Sequence, residues 1–191
     1  MRPIGLVFDF FGVISSEAAP FWFEEHMSRE EGRTLEEKYV RPADKGKMTQ
    51  EELFKNLSDI SGIKAEAIEA NWLSRARINS DVVDLVKELK GSYRLGLLTN
   101  AFSPFFTTVL ERSGVKDLFE EIVMSSETGY AKPEPEMYRA ILEKMNLEPE
   151  EVLMIDDNPK NVEGAKNIGM SAVVFTSCAE LREDLERWKE V

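Results

Sequence analysis

Five short apolar runs, each followed by a segment with helical character, constrain this chain more than any other feature of its 191 residues. They are IGLVFD (4–9), YRLGLLTN (93–100), EEIVMSS (120–126), EVLMIDD (151–157) and SAVVF (171–175). Their apolar residues follow one another instead of alternating with polar ones, so both faces of each strand expect cover, as in a parallel sheet between helices. The intervening segments carry matching signals. Ser103 and Pro104 open PFFTTVLERSG, with Gly114 at the C-cap; Asn158 and Pro159 open PKNVEGAKNIG, closed by Gly169; DVVDLVKELKG ends at Lys90 and Gly91. From residue 81 onward the pattern is β/α alternation around a parallel sheet.

Residues 15–79 break that rhythm. They are rich in Glu, Lys and Arg, hold the helical stretches MTQEELFKNLSDISG (48–62) and AEAIEANWLSRARI (65–78), and offer no strand pattern. Thr49 and Glu52 have the spacing of a capping box. The expected organisation is a core of residues 1–14 and 80–191 with a small helical cap, 15–79, lying as a lid over the sheet edge. The length suits one core with a modest insertion, a typical domain being ~150 residues. Phe21, Trp22, Phe23 and Trp72 supply the apolar mass that such a lid needs.

Polar residues cluster where the apolar runs end: Asp9 after the first, Thr99 and Asn100 after the second, Asp156 and Asp157 after the fourth. In open α/β sheets that edge is where ligands bind. One Asp after a strand serves equally well as a turn or helix cap; the adjacent pair is harder to accommodate, because like charges repel unless a cation or donors compensate them. With Asp9, the pair would offer oxygen ligands suited to a hard cation such as Mg²⁺.

A net charge of −12 argues against nucleic acid or anionic membrane as partners, since both require a basic field. An anionic substrate would therefore need a local positive centre, a metal ion or a lysine. The only cysteine, Cys178, cannot form an internal disulfide and fits a reducing, cytoplasmic setting. Asp9 interrupts what would be a signal-peptide core, and no run approaches the ~20 apolar residues that span a bilayer.

Asp9 in VFDFFGVI, Thr99-Asn100 in LGLLTN, Lys132 in GYAKPEPEMY and Asp156-Asp157 in VLMIDDNPKNVEGAKNIGM resemble, in order, the four motifs of the haloacid dehalogenase superfamily. The insertion after the first motif resembles the branch with a small helical cap, which includes glucose-1-phosphatase-like and epoxide-hydrolase N-domain-like phosphatases. The resemblance implies a Rossmann-like α/β fold with strand order 5-4-1-2-3. It also implies a Mg²⁺-dependent phosphohydrolase acting on a small phosphorylated metabolite, with Asp9 as the nucleophile that becomes an aspartyl phosphate. Asp9, Asp156 and the Phe11 carbonyl would hold Mg²⁺, supported by Asp157. Thr99 and the Asn100 main chain would bind phosphate, and Lys132 would neutralise charge. One nucleophile, one metal, one lysine and one hydroxyl form a minimum set for a reaction that is mostly positioning and charge neutralisation.

Phe11 departs from the family pattern, in which most phosphatases carry a second Asp two residues after the nucleophile. That acid protonates the leaving oxygen and then activates water, work worth about 10²–10⁴-fold. Three readings stay open: a phosphatase for easy leaving groups or with a proton from elsewhere, a 2-haloacid dehalogenase, or a catalytically weak binding or regulatory protein. Retention of Asp156-Asp157, which family dehalogenases typically replace, favours phosphate chemistry. His26, the only histidine, is expected to pack or face solvent, and nothing near Cys178 activates it. Arg41, Arg75 and Arg77 are either solvated or available to a leaving group. Phe105-Phe106 are expected to pack on the sheet. Oligomeric state is open, a homodimer through the cap being one arrangement.

Overall fold

The computed structural model describes residues 3–189. Residues 1–2 and 190–191, the outer ends of the expected core, lie outside the described residues. All five apolar runs form strands: β1 (Gly5–Phe8), β2 (Arg94–Thr99), β3 (Glu121–Met124), β4 (Val152–Asp156) and β5 (Ser171–Val174). They pair in parallel in the order β3-β2-β1-β4-β5, which is the expected topology. β1 is central; Phe8 pairs with Leu97 on one side and Ile155 on the other. The strands are shorter than the runs, because Asp9, Asn100 and Asp157 step out of the ladder at its C-terminal edge. Ser125 and Ser126 do not extend β3 but open a helical turn.

Between β1 and β2 the chain forms α1 (Ala19–His26), α2 (Arg29–Leu35), a π-helical turn (Glu36–Val40) running into α3 (Arg41–Asp44), then α4 (Gln50–Ser61) and α5 (Ala65–Arg75). The capping box is formed: the Thr49 N–H donates to the Glu52 carboxylate at 2.8 Å, and the Glu52 N–H to Thr49 Oγ1 at 3.2 Å. α5 stops at Arg75, short of the expected Ile78, because the chain there returns to the sheet. The Ser16 N–H donates to the Arg77 carbonyl at 2.9 Å, and Ser15 bridges to Ile78, so the two ends of the insertion are stitched together. α6 (Ser80–Leu89), α7 (Phe105–Ser113), α8 (Ser125–Thr128), α9 (Pro135–Met145), α10 (Pro159–Asn167) and α11 (Cys178–Lys189) complete the chain.

Period-two alternation explains why the strands are apolar throughout. Val7, Leu98 and Met154 face a cluster with Tyr138 and Ile141 of α9 and Val162 of α10. Leu6, Phe8, Leu97 and Ile155 face a second cluster containing Val86 of α6, Phe106 of α7 and Leu185 of α11. Each such side chain contributes about 1.5–3 kcal/mol by leaving water. The second cluster continues without a break into Trp22, Phe54, Leu57 and Trp72 of the insertion, which therefore shares the core of the sheet. Trp72 makes that join, with ring centroids 5.2 Å from Phe54 in the insertion and 6.1 Å from Phe105 beyond β2. Phe21 does not join it and stays exposed. Among the described residues no helix is long and apolar enough to cross a membrane.

Candidate active site

Asp9 is the first residue beyond β1, tied to the neighbouring strand by its N–H, which donates to the Ile155 carbonyl at 2.8 Å. Its Oδ1 accepts the Phe10 N–H at 2.7 Å, and its Oδ2 lies 2.8 Å from Lys132 Nζ. The same ammonium lies 2.7 Å from Asp156 Oδ2 at the end of β4. The three side chains are at most 9% exposed, so this is a buried carboxylate–ammonium–carboxylate triad. Asp156 is held further by the Asn158 N–H at 2.9 Å and by Asn161 Nδ2 at 3.0 Å, both on Oδ1.

Lys132 comes from the loop between α8 and α9, far from Asp9 in sequence, and the Asn100 side chain clamps it there. Asn100 Oδ1 accepts the Lys132 N–H at 2.7 Å, and Asn100 Nδ2 donates to the Lys132 carbonyl at 3.0 Å. Thr99, the last residue of β2, is fully buried, and its hydroxyl has no hydrogen-bond partner among the described residues. Asp157 is half-buried beside Gly12. A Cβ at Gly12 would lie 2.3 Å from the Asp157 carboxylate, and the backbone there has φ +83°, so this position requires glycine on both counts.

Carboxylate oxygens of Asp9, Asp156 and Asp157 lie within 4.8 Å of one another. Burial, aided by Asp156, pushes the Asp9 carboxyl well above the usual range, with Lys132 opposing. Burial and Asp156 likewise raise Asp157. Burial disfavours the Lys132 charge, but Asp9 and Asp156 outweigh it and hold the ammonium protonated above its ordinary value. Three carboxylates around one ammonium leave the site short of positive charge, and their all-oxygen donor set suits a hard divalent cation.

A cavity of about 780 Å³ opens above this edge, within the range of small-molecule sites, roughly 300–1,000 Å³. Asp9, Asn100, Lys132 and Asp157 line its floor; Glu17, Val40, Asp44 and Trp72 line the side formed by the insertion. Phe11 also lines it, its ring stacked on Phe105 at 6.2 Å and edge-on to Phe10 at 5.0 Å. Phe105 thus touches the cavity as well as the core, whereas Phe106 is wholly in the core. Arg41 lines the cavity paired with Glu37 at 3.0 Å, while Arg75 is bound to Glu25 and Asn71. His26 stacks on Trp22, and Cys178 Sγ lies 3.3 Å from the Asp81 carbonyl; neither reaches the site.

Asn161, Gly12, Glu17 and Asp44 are absent from the sequence-level site. Asn161 had a signal, lying five residues after Asp156 in the first turn of a helix opened by Pro159. Glu17 and Asp44 had none, since insertion acids look like a solvated face until folding turns them inward. Burial, then Asp157 and Glu36, raises Glu17 to about 7. Burial, then Glu17 and Glu36, raises Asp44 to about 8.

Known proteins resemble the chain over most of its length. It is 28% identical over 148 residues to the sesquiterpene phosphatase astK of Aspergillus oryzae, covering 73% of this chain and 76% of that protein. To the D-ribitol-5-phosphate phosphatase of Bacteroides thetaiotaomicron it is 26% identical over 153 residues, covering 74% and 73%. It is 26% identical over 161 residues to the drimenol cyclase drtB of Aspergillus calidoustus, covering 81% of this chain but spanning only 30% of that protein. Among solved structures, a HAD family enzyme from Bacteroides thetaiotaomicron in complex with magnesium superposes with a TM-score of 0.77 at 26% identity, covering 92% of this chain and 94% of that one. A variant of that enzyme with magnesium and inorganic phosphate gives 0.74 at 25% identity, covering 91% and 94%. Residues 5–169 match the family model, from β1 to the glycine that closes α10, and the chain belongs to the haloacid dehalogenase-like hydrolases.

Proposed function

We propose that the chain is a Mg²⁺-dependent phosphohydrolase that cleaves a small phosphorylated metabolite by passing the phosphoryl group through Asp9. The observation that carries this reading is the triad: a buried carboxylate at the switch point of the sheet, held by Lys132 and flanked by Asp156 and Asp157. Phosphatase-named relatives and the magnesium and phosphate complexes of a structural neighbour support it. Asp9, Asp156 and Asp157, with the Phe11 carbonyl, are the residues that would hold the metal. When bound, it would neutralise charge on the carboxylates and on the phosphate oxygens during transfer.

Lys132 keeps its proton between two carboxylates and offsets charge as the phosphoryl group meets Asp9. The Phe10 N–H fixes Asp9 Oδ1, so the carboxylate attacks from a set orientation. The Thr99 hydroxyl and the Asn100 main chain are the proposed phosphate donors. The Asn100 side chain keeps Lys132 in reach. Residues 15–79 act as the cap that closes the cavity against water and selects the leaving group. The Phe11 side chain has no ionisable proton to give, so the reaction favours leaving groups that depart as stable anions or takes its proton from another wall of the cavity.

The test is hydrolysis of an aryl phosphate with and without Mg²⁺. Turnover is expected only with the metal, and Asp9→Asn is expected to abolish it. Persistent turnover by Asp9→Asn would refute Asp9 as the phosphoryl acceptor. Release of halide from a 2-haloacid without metal would move the chain to the dehalogenase reading.

A further inference from the structure

Resting on that reading, we infer that Glu17 supplies the proton that Phe11 cannot, acting as acid and then base for the leaving-group half of the reaction. Three cavity carboxylates lie outside the triad and its Asp157 neighbour and have no ion pair or hydrogen bond among the described residues: Glu17, Glu36 and Asp44. The other insertion-side acid, Glu37, is bound to Arg41. Of the three, Glu17 lies nearest the nucleophile along the chain, on the segment that leaves β1 after Asp9. It lines the same cavity as Asp9, Lys132 and Asp157 of the floor and Glu36 and Asp44 of the insertion side.

The backbone holds it there. After Asp9 the chain folds into a tight loop in which the Ser15 N–H donates to the Phe10 carbonyl at 2.8 Å and the Gly12 N–H to the Ser15 carbonyl at 2.7 Å. Ser16 is fixed to the far end of the insertion through the Arg75 and Arg77 main chain. Glu17 is the next residue, so its Cα is set by the same loop that carries the nucleophile, while its side chain opens into the cavity. Burial and the negative charges of Asp157 and Glu36 keep its carboxyl protonated up to about pH 7, so both protonation states are populated near neutrality.

The proton balance closes. As Asp9 attacks phosphorus and the ester P–O bond breaks, Glu17 gives its proton to the departing oxygen, leaving an alcohol, aspartyl phosphate and a Glu17 carboxylate. Water then attacks the phosphoryl group, Glu17 takes the water proton, and inorganic phosphate leaves with both carboxyls restored.

The experiment uses the full chain with saturating Mg²⁺ and a series of aryl and alkyl phosphate monoesters of graded leaving-group acidity. Glu17→Gln is expected to lower kcat/KM by about 10²–10⁴-fold for alkyl esters. For nitrophenyl phosphate kcat/KM should stay within a few-fold of wild type, while kcat falls and a stoichiometric burst of nitrophenolate precedes it. A uniform loss across the series, or no loss, would overturn the assignment. Wild-type protein that turned over none of these esters would overturn the phosphohydrolase reading and this inference together, which separates the two failures. A second variant, Glu17→Asp, withdraws the carboxyl by one methylene and should show the same leaving-group bias with a smaller amplitude; a flat response there would also overturn it.

Discussion

Replacing Lys132 with methionine keeps most of the apolar stem and removes the ammonium with its charge and its hydrogen bonds, so it tests what that group does for Asp9 and Asp156. Both carboxylates lie within 2.8 Å of Nζ, and the three side chains are 0–9% exposed. Breaking a buried charge cluster on one side costs about 3–5 kcal/mol, because the remaining charges are left uncompensated. That is a large part of a typical folding stability of about 5–15 kcal/mol. The loss should depend on pH in a direction set by Asp9. Burial already raises its carboxyl in the folded state, and loss of Lys132 raises it further. A carboxyl whose folded pKa lies above its unfolded value contributes stability that is complete below about pH 4 and lost as pH rises through the folded pKa. The deficit of Lys132→Met should therefore be smaller at about pH 5 than at about pH 7.5. Mg²⁺ should stabilise the variant relative to its own metal-free state by about 2.7 kcal/mol at a hundredfold excess over Kd. Urea unfolding at the two pH values, with and without Mg²⁺, measures all three effects. A deficit under about 1 kcal/mol, equal at both pH values, would refute the account of the triad.

Two other substitutions probe the neighbouring geometry. Gly12→Ala places a methyl against the Asp157 carboxylate on a left-handed backbone; it should cost about 1–2 kcal/mol and weaken Mg²⁺ binding about 10–100-fold, read by calorimetric titration. Asp44, raised to about 8, and Glu17, raised to about 7, both withdraw stability as pH climbs from about 4 through those values. Asp44→Asn should therefore stabilise the protein by about 1–2 kcal/mol near pH 8 and leave it unchanged near pH 4, the gain being moderated by the part of the side chain still in water. A urea midpoint shifted equally at both pH values would show that burial of the charge is not the cause.

Much of the site was legible because it follows from linear order. A residue that ends an apolar strand in a β/α alternation must emerge at one edge, so Asp9, Asn100 and Asp156 could be assigned to it before folding was considered. The capping box at Thr49 was equally local. What could not be read depends on which side chain turns toward which. The spacing between Asn100 and Lys132 does not reveal that the amide clamps the lysine backbone, nor does an acid-rich insertion show that Glu17 and Asp44 face inward while Glu30 and Glu51 remain outside. The insertion's aromatic residues suggested a small lid core, yet Trp72 merges them with the core of the sheet through Phe102 and Phe105.

The order of apolar runs, helix signals and strand-end acids was enough to specify a parallel α/β sheet and the edge at which those acids gather, because these rest on periodicity and on the short reach of backbone hydrogen bonds. The triad, the clamp on Lys132 and the acid wall of the cavity came only with tertiary structure. They join residues far apart along the chain, and burial, which sets the protonation of Asp9, Glu17 and Asp44, exists only after the insertion has packed over the sheet.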